Sequence, residues 1–233
     1  MSTKEQILPG RYYHLYNHSN GYLNLFRTED NYQYFLEKYK KYVHPFADTF
    51  AYCLMPNHFH FLVRIKEEFD DNIKVSSRSF NLMSSDLFKR SELIEPFSPI
   101  QVTNAIKNWL ISYTQAYHKI YKTRGNLFYQ KIRRKVITDE NYLLTLVAYI
   151  HLNPIIHGFA HKLEEWPYSS FPHYMYNSPS ILNTHVILDL FDDRQNFLDY
   201  HNQKLAADIL KIIDLDFQIM NPAKQTICLG NVF

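Results

Sequence analysis

The chain has 233 residues and a net charge of +2, with 46% hydrophobic and 21% charged residues, an ordinary globular composition long enough for one good-sized domain. No apolar run approaches the roughly 18–20 residues that a membrane span needs, and the first residues lack the apolar core of a signal peptide. The two cysteines are too few for a disulfide framework, so a cytoplasmic protein is expected.

The first part of the chain predicts the order strand, helix, strand, strand. Residues 11–17 are rich in β-forming side chains. Thr28 is a good N-cap for a helix whose apolar residues recur at helical spacing as far as His44. Two further strands are predicted at residues 49–54 and 58–65, joined by a Pro-Asn turn.

The second part is less regular. Residues 66–98 are polar and rich in serine, which indicates a long insertion with at most a short helix near 83–90. A helical period returns at residues 101–121 and is expected to end at an Arg-Gly-Asn sequence. An extended basic segment follows at 127–137, and a last helix of this part at 139–152.

This order predicts an α+β fold. A four-stranded antiparallel sheet of the ferredoxin-like or RNA-recognition type, with helices on one face and the other face open, accommodates it. We divide the chain into a domain at residues 1–175 and a C-terminal helical extension at residues 176–233. Two helices are expected in the extension, near 184–193 and 194–213.

Positive charge is concentrated in the middle of the chain. Residues 1–138 carry 20 Lys/Arg and 12 Asp/Glu, a net charge of +8, whereas residues 139–233 carry 5 and 11, a net charge of −6. Residues 96–138 contain eight Lys/Arg and no acidic residue. This asymmetry indicates a surface that faces a polyanion, and a solvated helix face is the alternative.

Two histidines lie one residue apart in the third predicted strand, in the run Met55-Pro56-Asn57-His58-Phe59-His60-Phe61-Leu62-Val63. Side chains alternate along a strand, so His58 and His60 project to one face and the aromatic residues between and after them to the other. Two imidazoles held side by side make half of a divalent-metal site. A pair of surface histidines on a half-buried sheet is the alternative.

The helix at 139–152 can complete such a site. Thr138 is expected to cap this helix, and Asn153 with Pro154 to end it. Tyr149 and Asn153 are four residues apart and therefore neighbours on one helix face. If the helix crosses the open sheet face, Asn153 adds a carbonyl oxygen to the two imidazoles, an N,N,O set suited to Mg²⁺ or Mn²⁺. Tyr149 then lies one turn away, although a core aromatic is the simpler interpretation of that residue.

The histidine run and the sequence Tyr149-Ile150-His151-Leu152-Asn153-Pro154-Ile155 together resemble the single-tyrosine HUH transposase family, in particular its REP-associated tyrosine transposase branch. Smaller segments agree with the resemblance, which covers roughly residues 9–175: Tyr13-His14-Leu15-Tyr16-Asn17, Gly125-Asn126-Leu127-Phe128-Tyr129-Gln130 and Trp166-Pro167-Tyr168-Ser169-Ser170-Phe171. The sequence departs from the family pattern at His18-Ser19-Asn20 and at Lys131-Ile132. Residues 176–233 have no assigned counterpart.

The resemblance implies a metal-dependent endonuclease and strand transferase that acts on single-stranded DNA beside a small hairpin. By this analogy His58 and His60 are metal ligands, Asn153 is the third ligand, and Tyr149 is the nucleophile that forms a 5′-phosphotyrosine link. Such chemistry conserves the phosphodiester energy, and the sequence has no glycine-rich phosphate loop for ATP.

Basic residues are the candidates for DNA contact, because their cations neutralise phosphates. The first choice comprises Lys131, Arg133, Arg134 and Lys135, and the second Lys119, Lys122 and Arg124. Tyr129 and Phe128 are candidates for base stacking or for the core. Three other histidines, His14, His151 and His157, have no spacing that favours a metal, so we leave them out of the site.

A second hypothesis from another class stays open at this point: the same fold as a catalytically silent module that binds hairpin DNA or RNA. The presence of both histidines and the tyrosine favours the enzyme. The resemblance also suggests a nucleoid-associated protein and allows a homodimer, although the long C-terminal extension is compatible with a monomer.

Overall fold

The computed structural model describes residues 6–21, 23–68, 98–176 and 180–207. The elements in these ranges, besides two short 3₁₀ turns, are β1 (Tyr12–His18), α1 (Glu29–Tyr42), β2 (Ala47–Met55), β3 (His58–Ile65), α2 (Pro99–Tyr121), β4 (Arg133–Ile137), α3 (Glu140–Ile156), α4 (Phe171–Tyr176), α5 (Thr184–Leu190) and α6 (Arg194–Ala207). The helix predicted near 83–90 and the predicted end of the last helix at 213 lie outside the described residues. None of the helices in the described ranges is both long and apolar enough to cross a membrane.

The four strands form one antiparallel sheet in the order β2-β3-β1-β4. The first strand is central, because Tyr16 lies opposite His60 of β3 on one side and Arg133 of β4 on the other. This order, with α1 and α2 as the connections that cross the sheet, is that of the ferredoxin-like fold. The predicted α+β class and four-stranded antiparallel sheet are therefore confirmed.

The first hydrophobic core lies between the sheet and the helices α1 and α2. It is strongly aromatic: Phe59 and Phe61 of β3 pack on Trp109 of α2, with ring centroids 5.2 and 5.4 Å apart. From α1, Phe35 and Tyr39 complete the layer, and all five side chains are buried. Strand alternation predicts the inward direction of Phe59 and Phe61, because every second β3 side chain points to this face.

The opposite face of the sheet is covered as well, whereas the sequence suggested an open face. Helix α3 lies across it, and α4, α5 and α6 pack on α3 and the sheet in a second core. This core includes Leu62 of β3, Val147 and Ile150 of α3, and Phe197 of α6, all buried. The chain thus forms three layers, with the sheet between two sets of helices. The two helices expected in the C-terminal extension are present as α5 and α6.

Both ends of α3 differ from the prediction. Its N-cap is Asp139 rather than Thr138, because the Asp139 carboxylate accepts a hydrogen bond from the Tyr142 backbone N–H at 2.7 Å. The predicted end at Asn153 and Pro154 is wrong, since the helix continues to Ile156. Proline removes one backbone donor, and the extra turn is stabilised because α3 is buried between the sheet and the C-terminal helices.

The predicted end of α2 at residue 121 is confirmed, and the Arg-Gly-Asn sequence lies in the turn that follows. The helix ends at Tyr121, and Lys122 adopts the left-handed conformation with φ 52° and ψ 35°. The His118 side chain then bridges the turn, with Nδ1 2.8 Å from the Thr123 hydroxyl and Nε2 2.9 Å from the Gly125 carbonyl oxygen. This turn leads into the extended segment, of which only residues 133–137 pair as a strand.

A buried chain of hydrogen bonds fastens α6 to α3 and to the sheet. His201 Nδ1 lies 2.7 Å from the Phe197 carbonyl oxygen, and its Nε2 lies 2.9 Å from His151 Nδ1. The other nitrogen of His151 lies 2.7 Å from the Ser170 hydroxyl, which accepts from the Tyr52 backbone N–H. Burial lowers the pKa of His201 to about 4 and holds the pKa of His151 well below its usual value. Both rings are therefore neutral at pH 7.

We expect this pair to make the protein less stable in acid. A histidine with a lowered folded-state pKa is stabilising above its unfolded pKa of about 6.5, and this stability is lost as the pH falls toward the folded value near 4. His201 alone contributes a loss of about 2 kcal/mol between pH 7 and pH 5. In the variant His201→Leu this part of the pH dependence disappears, and stability at pH 7 drops by about 1–3 kcal/mol because His151 loses a buried partner.

Urea unfolding at the two pH values measures both effects. The matched control is His185→Leu on α5, where the histidine is exposed. If the stability of His201→Leu depends on pH as strongly as that of wild type, His201 is not the cause of the loss of stability in acid.

Candidate active site

Strand β3 carries the two motif histidines on the sheet face that α3 covers. In the antiparallel register His58 lies opposite His18 of β1, and His60 lies opposite Tyr16. The rings of His58 and His60 are 5.2 Å apart and nearly perpendicular. Their relative exposures are 2% and 0%, so the alternative of a surface histidine pair is excluded.

His14 of β1, which the sequence analysis left out, is part of the same cluster. Its Nε2 lies 2.9 Å from Nδ1 of His60, and the two rings are stacked with centroids 5.0 Å apart. The partners are 46 residues apart in the chain. A histidine that binds a metal through one nitrogen is commonly oriented by a hydrogen bond at the other. The contact with His14 uses Nδ1 of His60, so Nε2 is the nitrogen that could bind a metal ion.

Helix α3 brings Tyr149 and Asn153 onto this face, as the sequence predicts for a helix that crosses the sheet. The Tyr149 ring packs edge-on against His60, with centroids 5.3 Å apart, and against His14 at 6.3 Å. Asn153 Oδ1 lies 3.0 Å from His58 Nε2, and its Nδ2 donates to the Tyr149 carbonyl oxygen at 3.1 Å. The second hydrogen bond fixes the orientation of the amide, so the oxygen points toward the histidines.

The surroundings of His58 are unusual because both ring nitrogens face amide oxygens. Nδ1 is 2.8 Å from Asn57 Oδ1, and Nε2 is 3.0 Å from Asn153 Oδ1. A neutral imidazole carries only one N–H and can donate to only one of these oxygens. The remaining contact then sets two lone pairs against each other. A cation shared by that nitrogen and oxygen, either a second ring proton or a metal ion, satisfies both.

The donor set fits a divalent ion. With protons on the Nδ1 atoms, which face Asn57 and His14, the Nε2 atoms of His58 and His60 are the nitrogens that could hold a metal ion. Adjacent ligands of an octahedral ion at about 2.1 Å are about 3.0 Å apart, which matches the separation of His58 Nε2 and Asn153 Oδ1. Among the described residues no three His, Cys, Asp or Glu side chains form a metal cluster. The amide of Asn153 is therefore essential to this donor set.

A second group of side chains lies in mutual contact at the end of β1, next to the motif histidines: His18, Tyr129, Gln130 and Arg133. The His18 ring stacks on Tyr129 with centroids 4.8 Å apart. Burial lowers the pKa of His18, and the charge of Arg133 lowers it further, against the raising effect of its hydrogen bond to the backbone of Ser19. Arg133 in turn donates through Nε to the Gln130 amide oxygen at 2.8 Å, when that amide is oriented to accept. Tyr129 remains 47% exposed.

The basic residues predicted to contact DNA do not all lie on one face. On β4, Arg133 and Lys135 pair with Tyr16 and His14 and share the histidine face, whereas Arg134 pairs with Leu15 and lies on the face of α1 and α2. Lys135 is exposed, with its ammonium 4.3 Å from the centre of the Tyr142 ring. Lys131 is exposed just before the strand, and exposed residues at the end of α2 make up the second group: Lys119, Lys122 and Arg124.

Three residues near the site were missed by sequence reasoning. His14 and Asn57 each contact Nδ1 of a motif histidine, and the His157 ring lies 5.0 Å from that of His58. Strand alternation with the antiparallel register could have found His14, because β1 lies beside β3. His157 follows the predicted helix end, so only the longer α3 places it here. His151 belongs instead to the polar chain of the second core.

No family model matches this chain. A curated protein of Haemophilus influenzae named as a REP-associated tyrosine transposase is 27% identical over 150 residues, which is 64% of this chain and 69% of that protein.

Among solved structures, that of a REP-associated tyrosine transposase bound to a REP hairpin superposes with a TM-score of 0.52 at 16% identity. The match covers 78% of this chain and 88% of that one. Both similarities confirm the resemblance that the motifs indicate. In sequence and in fold, therefore, this chain resembles the REP-associated tyrosine transposases.

Proposed function

We propose that this chain is a metal-dependent endonuclease and strand transferase that cuts single-stranded DNA beside a hairpin through a covalent phosphotyrosine intermediate. The observation that carries the proposal is the convergence of Tyr149 and Asn153 of α3 with His58 and His60 of β3. A catalytically silent module that binds hairpin DNA or RNA does not require a tyrosine, an amide and two imidazoles at one buried point.

The metal site consists of His58, His60 and Asn153, with Mg²⁺ or Mn²⁺ as the suited ions. When bound, such an ion polarises the scissile phosphate and neutralises the charge that develops on it. The protein side chains supply the orientation. Asn57 and His14 hold the two rings by their Nδ1 atoms, and the hydrogen bond from Asn153 to the Tyr149 carbonyl keeps the amide oxygen on the same side.

Tyr149 is the nucleophile of the proposed reaction. Its hydroxyl oxygen forms a bond to the scissile phosphorus while the bond from phosphorus to the 3′ oxygen breaks. The tyrosine loses its proton, and the departing oxygen takes one up and leaves as a free 3′-hydroxyl. The 5′ phosphate stays on the enzyme as a phosphotyrosine. A second 3′-hydroxyl can reverse the step, which transfers the strand without an external energy source.

The site is closed in the structure. His58, His60, Asn153 and Tyr149 are each no more than 3% exposed. A DNA phosphate reaches these side chains only after part of the surrounding structure moves. The proposed enzyme therefore includes an opening step before chemistry.

The partner proposed for this chain is hairpin DNA with single-stranded flanks. The solved relative of similar fold is bound to a REP hairpin, and the exposed basic residues near the end of β4 supply phosphate contacts on the histidine face. Nucleoid association follows from DNA binding, and a homodimer stays a prediction that the oligomeric state on the DNA decides.

Replacing the nucleophile should abolish the covalent product. Incubation of the wild-type chain with labelled hairpin DNA and Mn²⁺ is expected to give a protein–DNA adduct that survives denaturation, and Tyr149→Phe is expected to give none because the attacking oxygen is missing. Tyr142→Phe, two turns earlier on the same helix, is the matched control, because the Tyr142 ring contacts the Lys135 ammonium. An adduct of undiminished yield in Tyr149→Phe would assign the nucleophile to another residue. If wild type binds the hairpin DNA but forms no adduct, the result favours the catalytically silent module.

Loss of the metal ligands should separate cleavage from binding. His58→Ala and His60→Ala are each expected to reduce cleavage to background, as does a chelator, because the phosphate is no longer polarised. Asn153→Ala is expected to raise the Mn²⁺ concentration needed for half-maximal cleavage by about 10–100-fold. All three should still bind hairpin DNA in a gel-shift assay. Equal cleavage by the histidine variants and wild type would rule out this metal site.

The two faces of β4 provide a test of the DNA-binding surface. Lys135→Gln is expected to lower the slope of log affinity against log salt by about 1, since one phosphate contact is removed. Arg134→Gln, the neighbouring residue on the opposite face, should change the slope less. A titration of hairpin DNA at several salt concentrations measures both. A larger effect at Arg134 would place the DNA on the other side of the sheet.

A further inference from the structure

A cavity of about 600 Å³ lies outside the histidine site, between the start of α1 and the segment that follows α3. Residues from three separate parts of the chain line it. Among them are Phe26 and Tyr32 from the region of α1, Pro56 from the turn between β2 and β3, and Tyr168 from the segment after α3. None of these residues has a role in the proposed cleavage chemistry, so the cavity is available for a separate purpose.

The aromatic side of the cavity is a stack of rings. Tyr32 and Tyr168 are almost parallel, with an interplanar angle of 4° and centroids 3.6 Å apart, and Phe26 stacks on Tyr32 at 4.5 Å. Trp166 meets Tyr32 and Tyr168 edge-on. Tyr168 is partly exposed, whereas Phe26 and Tyr32 are buried. The stack therefore presents a rigid aromatic surface, the type of surface on which nucleobases stack.

The loop that bounds the cavity is fixed before any ligand binds. Tyr117 of α2 donates its hydroxyl to the Asn24 carbonyl oxygen at 2.8 Å, and Tyr113 donates to the Leu25 carbonyl. Asn31 Oδ1 accepts from the Arg27 backbone N–H at 2.9 Å and from the Tyr121 hydroxyl at 2.7 Å. A site held in this way loses little conformational entropy when it binds a ligand.

The charged groups at the cavity are of opposite sign. Arg27 lies with its guanidinium 4.4 Å from the centre of the Tyr121 ring, and Glu29 begins α1. Burial and then the nearby charge of Glu29 raise the pKa of Tyr168, which places the carboxylate close to that ring. A carboxylate repels a bare phosphate but accepts hydrogen bonds from the amino groups of bases. The combination of an aromatic surface, a donor and an acceptor suits a neutral planar group with a polar edge.

The cavity adjoins the turn that carries the first motif histidine. Phe26 donates its backbone N–H to the Pro56 carbonyl oxygen at 3.0 Å. Pro56 lines the cavity, and the next residue, Asn57, has its Oδ1 atom 2.8 Å from His58 Nδ1. The turn between β2 and β3 thus links the cavity, which lies toward the α1 and α2 side of the sheet, to the first motif histidine two residues along the chain.

We propose that this cavity binds one unpaired nucleobase of the DNA strand that enters the histidine site, with Tyr168 as the stacking partner and Arg27 and Glu29 at the polar edge of the base. The inference rests on the proposed function, because it takes single-stranded DNA as the substrate. It adds a position at which the enzyme holds the strand in register with the scissile phosphate. The cavity thereby selects where along the flank the cut is made.

A scan with abasic sites tests the inference. Hairpin oligonucleotides with single-stranded flanks are prepared with one flanking nucleotide at a time made abasic, and dissociation constants are measured at fixed salt. For the wild-type chain we expect one position at which the abasic site weakens binding by about ten-fold, the size expected for loss of one base stack. Tyr168→Ala should bind the intact oligonucleotide about ten-fold more weakly than wild type does. An abasic site at that position should not weaken the binding of this variant further.

Two other variants support the interpretation. Arg27→Gln, a change at an exposed side chain, should reduce the effect of the abasic site at the same position with only a small loss of thermal stability, because one cation–π contact with Tyr121 is removed. Tyr176→Ala removes a tyrosine that is 70% exposed on α4 and should behave as wild type. Tyr168→Phe, which keeps the ring, should also retain the discrimination.

The outcomes separate this inference from the proposed cleavage. The base site is overturned, and the proposed function stands, if wild type forms the covalent adduct but no abasic position weakens its binding. The same holds if the abasic site weakens the binding of Tyr168→Ala and Arg27→Gln as much as that of wild type. If the position-specific loss is present and depends on Tyr168 but no adduct forms, the base site stands and the cleavage mechanism fails. Absence of any binding to hairpin DNA overturns both.

Discussion

The side chain of Asn153 links the two elements on which the candidate site depends. Its amide nitrogen is bonded to the Tyr149 carbonyl one turn back on α3, and its oxygen faces His58 Nε2 on β3. The first bond fixes the direction of the amide, and the second contact fixes how far along the sheet the helix lies. If α3 were shifted by one residue, a different face of the helix would meet the histidines, because each residue rotates the helix by about 100°. The position of Tyr149 beside His60 follows from the same contact.

Buried polar side chains between α3 and the sheet keep their positions only if the surrounding residues are well packed. His14, His60 and Asn153 are completely or almost completely buried, and an unsatisfied polar atom in such surroundings costs about 1–3 kcal/mol. Hydrogen bonds join His14 to His60, and His58 to both Asn57 and Asn153. The three-layer arrangement supplies the packing, since α3 is pressed onto the sheet by the C-terminal helices. The extension thus has a structural role for the site, although its residues are distant in sequence.

Several separate segments meet at the end of the sheet where the turn between β2 and β3 lies. The end of β1 pairs there with residues 127–129, and the loop before α1 bonds to Pro56. A stacked pair of His18 and Tyr129 lies on one side of the turn, and the aromatic cavity lies on the other. Exposed rings and cations around a buried polar centre are the arrangement expected for a strand of nucleic acid that passes over the site. The fold therefore brings exposed rings and basic side chains together at one edge of the sheet.

Local rules in the sequence predicted much of this architecture. Alternation along β3 places Phe59 and Phe61 on one face and His58 and His60 on the other, and helical spacing places Tyr149 with Asn153. These predictions depend only on backbone periods of 2 and 3.6 residues. The motifs identified the similarity to the REP-associated tyrosine transposases for the same reason, because they are short and contiguous.

Only the tertiary structure decided what those faces contact. His58 meets Asn153 across 95 residues of chain, and His60 meets His14 across 46. The covered second face of the sheet and the extension of α3 through Pro154 depend on which elements pack together. No local period encodes such contacts. They result from burial of apolar surface on both sides of the sheet, which fixes the register between elements that are remote in sequence.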